Sequence, residues 1–149
     1  MVWQKVLVSS YLSITTPIRN YSWPVSRTSP SHHPNSSAET NIPLAYGYSC
    51  TAVAPLDSKL QSLAQGAVAA IKAIYGTIYQ AGPICTTIYQ ATGTSVDYVN
   101  DISGAKYTFT SELRDTGTYG FVLPASQILP TGIEAFAGFK YLLQNLWAI

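Results

Sequence analysis

Apolar residues recur at helical spacing through Leu60, Leu63, Ala64, Ala67, Ile71 and Ile74, with Asp57 or Ser58 placed to cap the segment and Gly76 placed to close it. The pattern predicts an amphipathic helix. A second helix is predicted at the end of the chain, where Thr131 and Glu134 form the capping box T-x-x-E ahead of Ile133, Phe136, Ala137, Leu143 and Leu146. Between them, Lys106 to Arg114 alternate with period two, Tyr107, Phe109 and Ser111 on one face and Thr108, Thr110 and Glu112 on the other. That predicts a strand. The stretch from Gly82-Pro83 through TTIYQATGTSVDY is rich in Gly, Thr and Asp and reads as a long loop, a class of segment that tends to carry function.

Upstream the pattern vanishes. Residues Thr15 to Asn41 space prolines through Ser, Thr and Asn with neither apolar period, so residues 1–41 read as an irregular or disordered leader and 42–149 as the ordered part. Asn20-Tyr21-Ser22 and Asn35-Ser36-Ser37 match the glycosylation acceptor pattern, and a glycosylated surface segment is one reading of the leader. His32 and His33 are adjacent between Ser and Pro, an arrangement expected of a solvated loop pair rather than a metal site.

Composition narrows the partners. Eight Lys plus Arg against seven Asp plus Glu leave no electrostatic footprint for nucleic acid or an anionic membrane. No apolar run reaches the roughly 18 residues a spanning helix needs. Charged residues make up only 10% of the chain against eleven tyrosines, a balance that leans toward secreted proteins, although MVWQKVLVSSYLSI makes a poor signal peptide. Cys50 and Cys85 are too few for a disulfide framework and lack metal-site spacing; one bridge and two buried thiols both remain open.

The candidate chemistry sits on the polar face of the predicted strand. Glu112, near its C-terminal end, is placed as a general base if partly desolvated, or as an ion-pair partner of Arg114 on the same face. Tyr89 offers a phenol in mid-loop that could reach a substrate, or simply pack.

Five strings carry a resemblance: YGYSC (Tyr46 to Cys50), AVAAIKAIYGT, GPICTTIYQATGTSVDYV (Gly82 to Val99), YTFTSELRDTGTYGFVLPASQILPTG (Tyr107 to Gly132) and the final helix. In this order they resemble the C-terminal portion of zinc metallocarboxypeptidases of the carboxypeptidase A type. The resemblance implies an α/β fold, here the C-terminal strands and helices of an incomplete, mixed eight-stranded sheet with helices on its faces. It implies a secreted hydrolase that removes apolar or aromatic residues from peptide or protein C-termini, with zinc as cofactor. Glu112 aligns with the family's general base, and Tyr89 with the mobile tyrosine that closes over the substrate's last residue. Val96 falls at the base of the specificity pocket, where an aliphatic residue implies A-type preference. Ile84, Ile88, Ala91 and Thr110 would line that pocket, with Phe121 nearby. Arg114 and Asp115 would fix the turn beside the base, and Cys50 and Cys85 fall where some members carry a disulfide.

The family's zinc ligands have no counterpart. No His-x-x-Glu occurs, and the place of the third ligand falls at about Ser36. The upstream cluster that clamps the substrate carboxylate is missing too. The chain alone is therefore expected to lack peptidase activity, and to be marginal or aggregation-prone as a fold. Resemblance stops just before Pro43, as expected of a truncated or spliced product or a decayed gene. The alternative to an enzyme is a non-catalytic remnant that holds a peptide C-terminus.

Overall fold

The computed structural model of the chain describes residues 40–103, 105–119 and 122–146; residues 1–39 of the leader, with Asn20, His32, His33, Asn35 and Ser36, lie outside the described residues, as does Phe121. Element order is β1 (Asn41–Leu44), α1 (Asp57–Tyr75), β2 (Gln80–Pro83), α2 (Ile84–Thr87), α3 (Ser95–Asp101), a 3-10 turn (Ala125–Gln127) and α4 (Ile128–Asn145). β1 and β2 are parallel, with Asn41 opposite Gln80 and Leu44 opposite Pro83. No helix among the described residues is long and apolar enough to cross a membrane.

On its other side β1 meets the segment predicted as a strand. Asn41 and Glu112 exchange both backbone hydrogen bonds, at 3.2 and 2.8 Å, and the Thr110 N–H donates to the Pro43 carbonyl at 3.1 Å. The pairing is antiparallel but not a continuous strand, which corrects the regular ladder expected over Lys106 to Arg114. Pro43 supplies the reason: it has no N–H to return to Thr110, so the second bonded pair of the ladder is half made. The polar face also differs from the expectation, since Thr108, assigned to it, is buried along with Phe109 and Ser111 of the other face.

α1 forms as its periodicity predicts. Leu60, Leu63, Ala64, Ala67 and Ile71 are all buried, while Ile74, in the last turn, is exposed. Each fully buried Leu or Ile contributes roughly 1.5–3 kcal/mol. The helix ends on Gly76 at φ 78°, in the left-handed region, whose N–H returns to the Lys72 carbonyl at 2.8 Å. Its start is not side-chain capped; Asp57 stands in the first turn and accepts from Gln61 at 2.6 Å.

α4 differs from its expected form. It begins at Ile128, so Thr131 lies inside the first turn, and its hydroxyl donates back to the Gln127 carbonyl at 2.6 Å. Glu134 is fully buried instead of closing a capping box. Of the large residues read as the core stripe, Leu146 is buried, but Ile133, Phe136 and Leu143 are exposed, Phe136 at 68%. Thr131, Glu134, Ala135, Gly138 and Leu142 face inward instead. That small stripe lets α4 approach α1 closely: a Cβ on Gly138 would stand 2.9 Å from the Ile71 side chain, and the Tyr141 ring occupies the place of a Cβ on Gly66. The core gathers Ile42, Leu44, Leu60, Leu63, Ile71 and Leu142 between the two helices and the sheet.

Candidate functional site

Parallel pairing sends β1 and β2 out of the sheet at the same end. β1 continues into Ala45–Cys50 and β2 into α2, and the two continuations are fastened to each other. The Cys85 N–H donates to the Tyr46 carbonyl at 3.2 Å, the Ala91 N–H to the Gly47 carbonyl at 2.9 Å, and the Gln90 side-chain amide to the Tyr48 carbonyl at 2.8 Å. Cys50 and Cys85 form a disulfide, their Cα atoms 5.1 Å apart. Closing a loop of sequence separation 35 stabilises the fold by about 4 kcal/mol in the chain-entropy account.

Gly47 is the hinge point of this wall. A Cβ there would lie 2.8 Å from the Ala91 carbonyl oxygen, 3.0 Å from Thr94 and 3.2 Å from Ile84. Only glycine admits so close an approach. The chain predicted as one long loop therefore contains two short helices, a correction with a legible cause. Thr94 caps α3 by accepting from the Asp97 N–H at 3.3 Å, a Thr-x-x-acidic signal inside the Thr-rich stretch.

Asp97, which the sequence reading passed over, organises the wall. It is buried, and its two carboxylate oxygens accept the Gly47 N–H at 3.0 Å each while one takes the Tyr48 N–H at 3.2 Å. A carboxylate so bonded replaces its lost hydration with backbone donors. Its neighbour Val96 is 1% exposed. Behind it, the Tyr46 hydroxyl donates to Asp101 at 2.7 Å and receives the Asn100 amide at 3.4 Å; that bond to Asp101, with burial, pushes the Tyr46 phenol well above its usual range.

Of the pocket residues implied by resemblance, Ile84 and Ala91 meet at Gly47, Val96 is buried next to the clasping Asp97, and Ile88 is half-buried in the turn after α2. Tyr89 is 51% exposed on the outer side of that turn. Thr110 and Glu112 are half-buried on the opposite flank of β1. Glu112 pairs with Asn41, at the start of β1, whereas Ile84 follows Pro83, which pairs with Leu44 at its end. Along the strand direction, three residue steps therefore separate the Glu112 pairing from the end of the sheet where Ile84 begins, roughly 10 Å at 3.3 Å per residue.

Beside Glu112, the guanidinium of Arg114 forms its ion pair with Glu134 on α4. Nε donates to one oxygen at 2.7 Å and Nη2 to the other at 2.5 Å, a bidentate fork, while Nη1 reaches Gln127 at 2.9 Å. Thr77 donates to the same carboxylate at 2.7 Å, Tyr79 does so at 3.4 Å, and the Arg114 guanidinium lies 5.7 Å from the centre of the Tyr75 ring. Burial, then the nearby Glu134 charge, pushes the Tyr79 phenol well up. Asp115 accepts the Tyr119 N–H at 2.9 Å; burial opposes its charge, but the N–H groups of Tyr119, Gly117 and Thr118 hold its carboxyl below the usual range.

The donor set of the described residues does not fit the zinc that the resemblance implies. Among the described residues no three His, Cys, Asp or Glu side chains gather as a metal site, and both cysteines are spent in the disulfide. The buried oxygens without a hydrogen-bond partner, on Asn41, Thr108 and Asp115, add neither imidazole nor thiolate.

Comparison with known proteins places these elements in context. Residues 29–138 match the family described as zinc carboxypeptidase. Over 99 residues the chain is 52% identical to metallocarboxypeptidase A of Trichophyton rubrum, covering 66% of this chain and 24% of that protein. Over 102 residues it is 50% identical to carboxypeptidase A2 of Rattus norvegicus, covering 68% and 24%. The chain thus spans about a quarter of the length of these curated relatives. In bovine thrombin-activatable fibrinolysis inhibitor, solved in complex with tick carboxypeptidase inhibitor, 36% of the chain superposes on 72% of this one with TM-score 0.68 and 36% identity. Carboxypeptidase A from Helicoverpa armigera shares the fold at TM-score 0.60 and 22% identity, over 70% of this chain and 26% of that one. The described residues are a partial α/β carboxypeptidase fold.

Proposed function

The chain belongs to the zinc carboxypeptidase family, and from that premise we propose that it supplies the substrate-pocket wall and the general base of a metallocarboxypeptidase that removes apolar or aromatic residues from peptide C-termini. The observation that carries this reading is the uncharged, buried Val96 beside a wall built on Gly47, Ile84 and Ala91. An apolar floor accepts an apolar side chain and leaves a cation unpaired, at a cost that sets specificity. Tyr89, exposed at the outer turn, closes over the last residue of the substrate. Glu112, half-buried, takes a proton from the attacking water and returns one to the leaving amine. Thr110 borders the same pocket.

Zinc in this family supplies activation of water, and the described residues provide no ligand set to hold it. We therefore assign the chain by itself the binding of a peptide C-terminus without cleavage. The disulfide and the charge-poor, Tyr-rich composition support an extracellular setting.

Two experiments test the proposal. The purified chain, with and without added zinc, is expected to leave a blocked dipeptide ending in Phe intact; zinc-dependent turnover lost in Glu112→Gln would overturn the non-cleaving assignment. For the pocket, residues 46–146 are grafted in place of the matching segment of the Trichophyton rubrum relative. Val96→Asp in that chimera is expected to shift preference from Phe toward Lys or Arg by about 100-fold or more, the scale of a charge left unpaired in an apolar pocket. An unchanged preference would remove Val96 from the pocket.

A further inference from the structure

We infer that Glu134 is a positioning residue for the proposed base: acting through Arg114, it fixes the end of the segment that carries Glu112. The inference rests on the carboxypeptidase reading above. Two sets of bonds set the path of the chain from Thr110 to Arg114. In the first, the Thr110 N–H donates to the Pro43 carbonyl and Glu112 exchanges both backbone bonds with Asn41, which fixes the distance from β1. In the second, two residues further on, the Arg114 side chain reaches α4, where the Glu134 carboxylate takes Nε and Nη2 together. Two residues span at most about 7 Å, so a shift of Arg114 has little chain in which to be absorbed before it reaches Glu112.

The anchor is built for direction. Besides its fork to Glu134, the guanidinium donates from Nη1 to Gln127 at 2.9 Å and from Nη2 to Thr77 at 2.9 Å, so partners from α4, the 3-10 turn and the end of α1 define its plane and its place. Glu134 is itself fully buried and is held by the Thr77 and Tyr79 hydroxyls as well. As a source of stability alone such a pair is inefficient, since apolar side chains of similar volume do as well once both charges are gone. What the fork adds is geometry. Glu134 shares the inward face of α4 with Ala135, Gly138 and Leu142, and Gly138 lies against Ile71 of α1, so the fork refers the base to the packed helix layer. A displacement of about 1 Å at a reacting group costs on the order of 100-fold in rate. The cost should fall on kcat rather than KM, because the wall of Ile84, Ala91 and Val96 follows the other end of β1.

The test compares Glu134→Gln, which keeps the side-chain volume and one acceptor oxygen but loses the charged fork, with Leu142→Ala, a core truncation about two turns away on the same helix. In the full chain, amide hydrogen exchange at Thr110 and Glu112, taken relative to residues 60–71 of α1, is expected to rise about tenfold in Glu134→Gln and to stay unchanged in Leu142→Ala. In the zinc-loaded chimera, kcat on a blocked dipeptide ending in Phe is expected to fall about 10-fold to 100-fold in Glu134→Gln, with KM within about twofold and zinc content unchanged. Leu142→Ala is expected to leave kcat within about twofold. Arg114→Lys, which keeps the charge and loses the fork, gives both readings should Glu134→Gln not fold. An unchanged exchange ratio, an unchanged kcat, or an equal fall in Leu142→Ala would overturn the inference, the last by making the packing of α4 as a whole the cause. Glu112→Gln in the same chimera tells the two failures apart: if it abolishes turnover while Glu134→Gln does not, the positioning role alone falls. If Glu112→Gln leaves turnover intact, the base reading falls and the positioning role with it.

Discussion

Glu134→Ala removes the centre of the network that ties the turn after Glu112 to α4. The wild-type carboxylate is fully buried and accepts two bonds from Arg114, at 2.7 and 2.5 Å, and one from Thr77 at 2.7 Å. Its loss leaves the guanidinium with Gln127 and Thr77 alone, and the buried Tyr79 hydroxyl without its acceptor. Removing one partner of a buried pair costs about 3–5 kcal/mol. Arg114 keeps 18% exposure and recovers part of its hydration, which places the cost near the lower end, about 3 kcal/mol. With a urea slope of about 1.5 kcal/mol/M for a small domain, the midpoint should fall by roughly 2 M. Urea denaturation followed by circular dichroism, disulfide intact, measures it. The double change Arg114→Met with Glu134→Leu should restore the part of the loss due to the stranded guanidinium, while the Tyr79 and Thr77 hydroxyls stay without the carboxylate they donate to. A loss under about 1 kcal/mol in Glu134→Ala would refute the reasoning, by showing the pair to be solvated and dispensable.

Two further perturbations follow from the same geometry. Tyr79 holds its proton more tightly folded than unfolded, so its contribution is complete below the unfolded value near pH 10 and fades as pH climbs above it. Tyr79→Phe should therefore flatten the alkaline fall in stability above about pH 10 relative to wild type, read from urea midpoints; an identical slope would contradict the assignment. Gly47→Ala places a methyl 2.8 Å from the Ala91 carbonyl oxygen and should cost about 1–3 kcal/mol while raising exchange of the Ala91 amide. Wild-type stability in that variant would show the wall to be yielding rather than closely packed.

α1 was legible in the sequence because it packs with the stripe that its large apolar residues define, Leu60 through Ile71. α4 was legible as a helix but its buried face was not, because a stripe of Thr131, Glu134, Ala135 and Gly138 becomes an interior face only when Arg114, twenty positions away, neutralises Glu134 and Tyr141 fills the space beside Gly66. Periodicity weighs size and hydropathy and sees neither event. The alternation over Lys106 to Arg114 likewise could not register that its partner strand carries Pro43, which breaks the ladder from the other side. Thr94-x-x-Asp97 was readable and was passed over inside a Thr-rich stretch; it caps α3 and sets the carboxylate that grips Gly47. For Glu112, spacing alone left both a base and an ion pair with Arg114 in view. The ordered strings around Tyr46, Gly82 and Tyr107 gave it a role, while the structure gave Arg114 a partner in Glu134.

The account rests on Glu112 acting as the base of a carboxypeptidase site completed by residues that the described part of this chain does not hold. The most direct measurement is kcat/KM of the zinc-loaded chimera, residues 46–146 grafted onto the Trichophyton rubrum relative, on a blocked dipeptide ending in Phe, with and without Glu112→Gln. Turnover that falls by about 100-fold to 10,000-fold in the variant, at unchanged zinc content, is the expected result for loss of a general base. A folded, zinc-loaded chimera that turns over equally well with Gln at that position would contradict it.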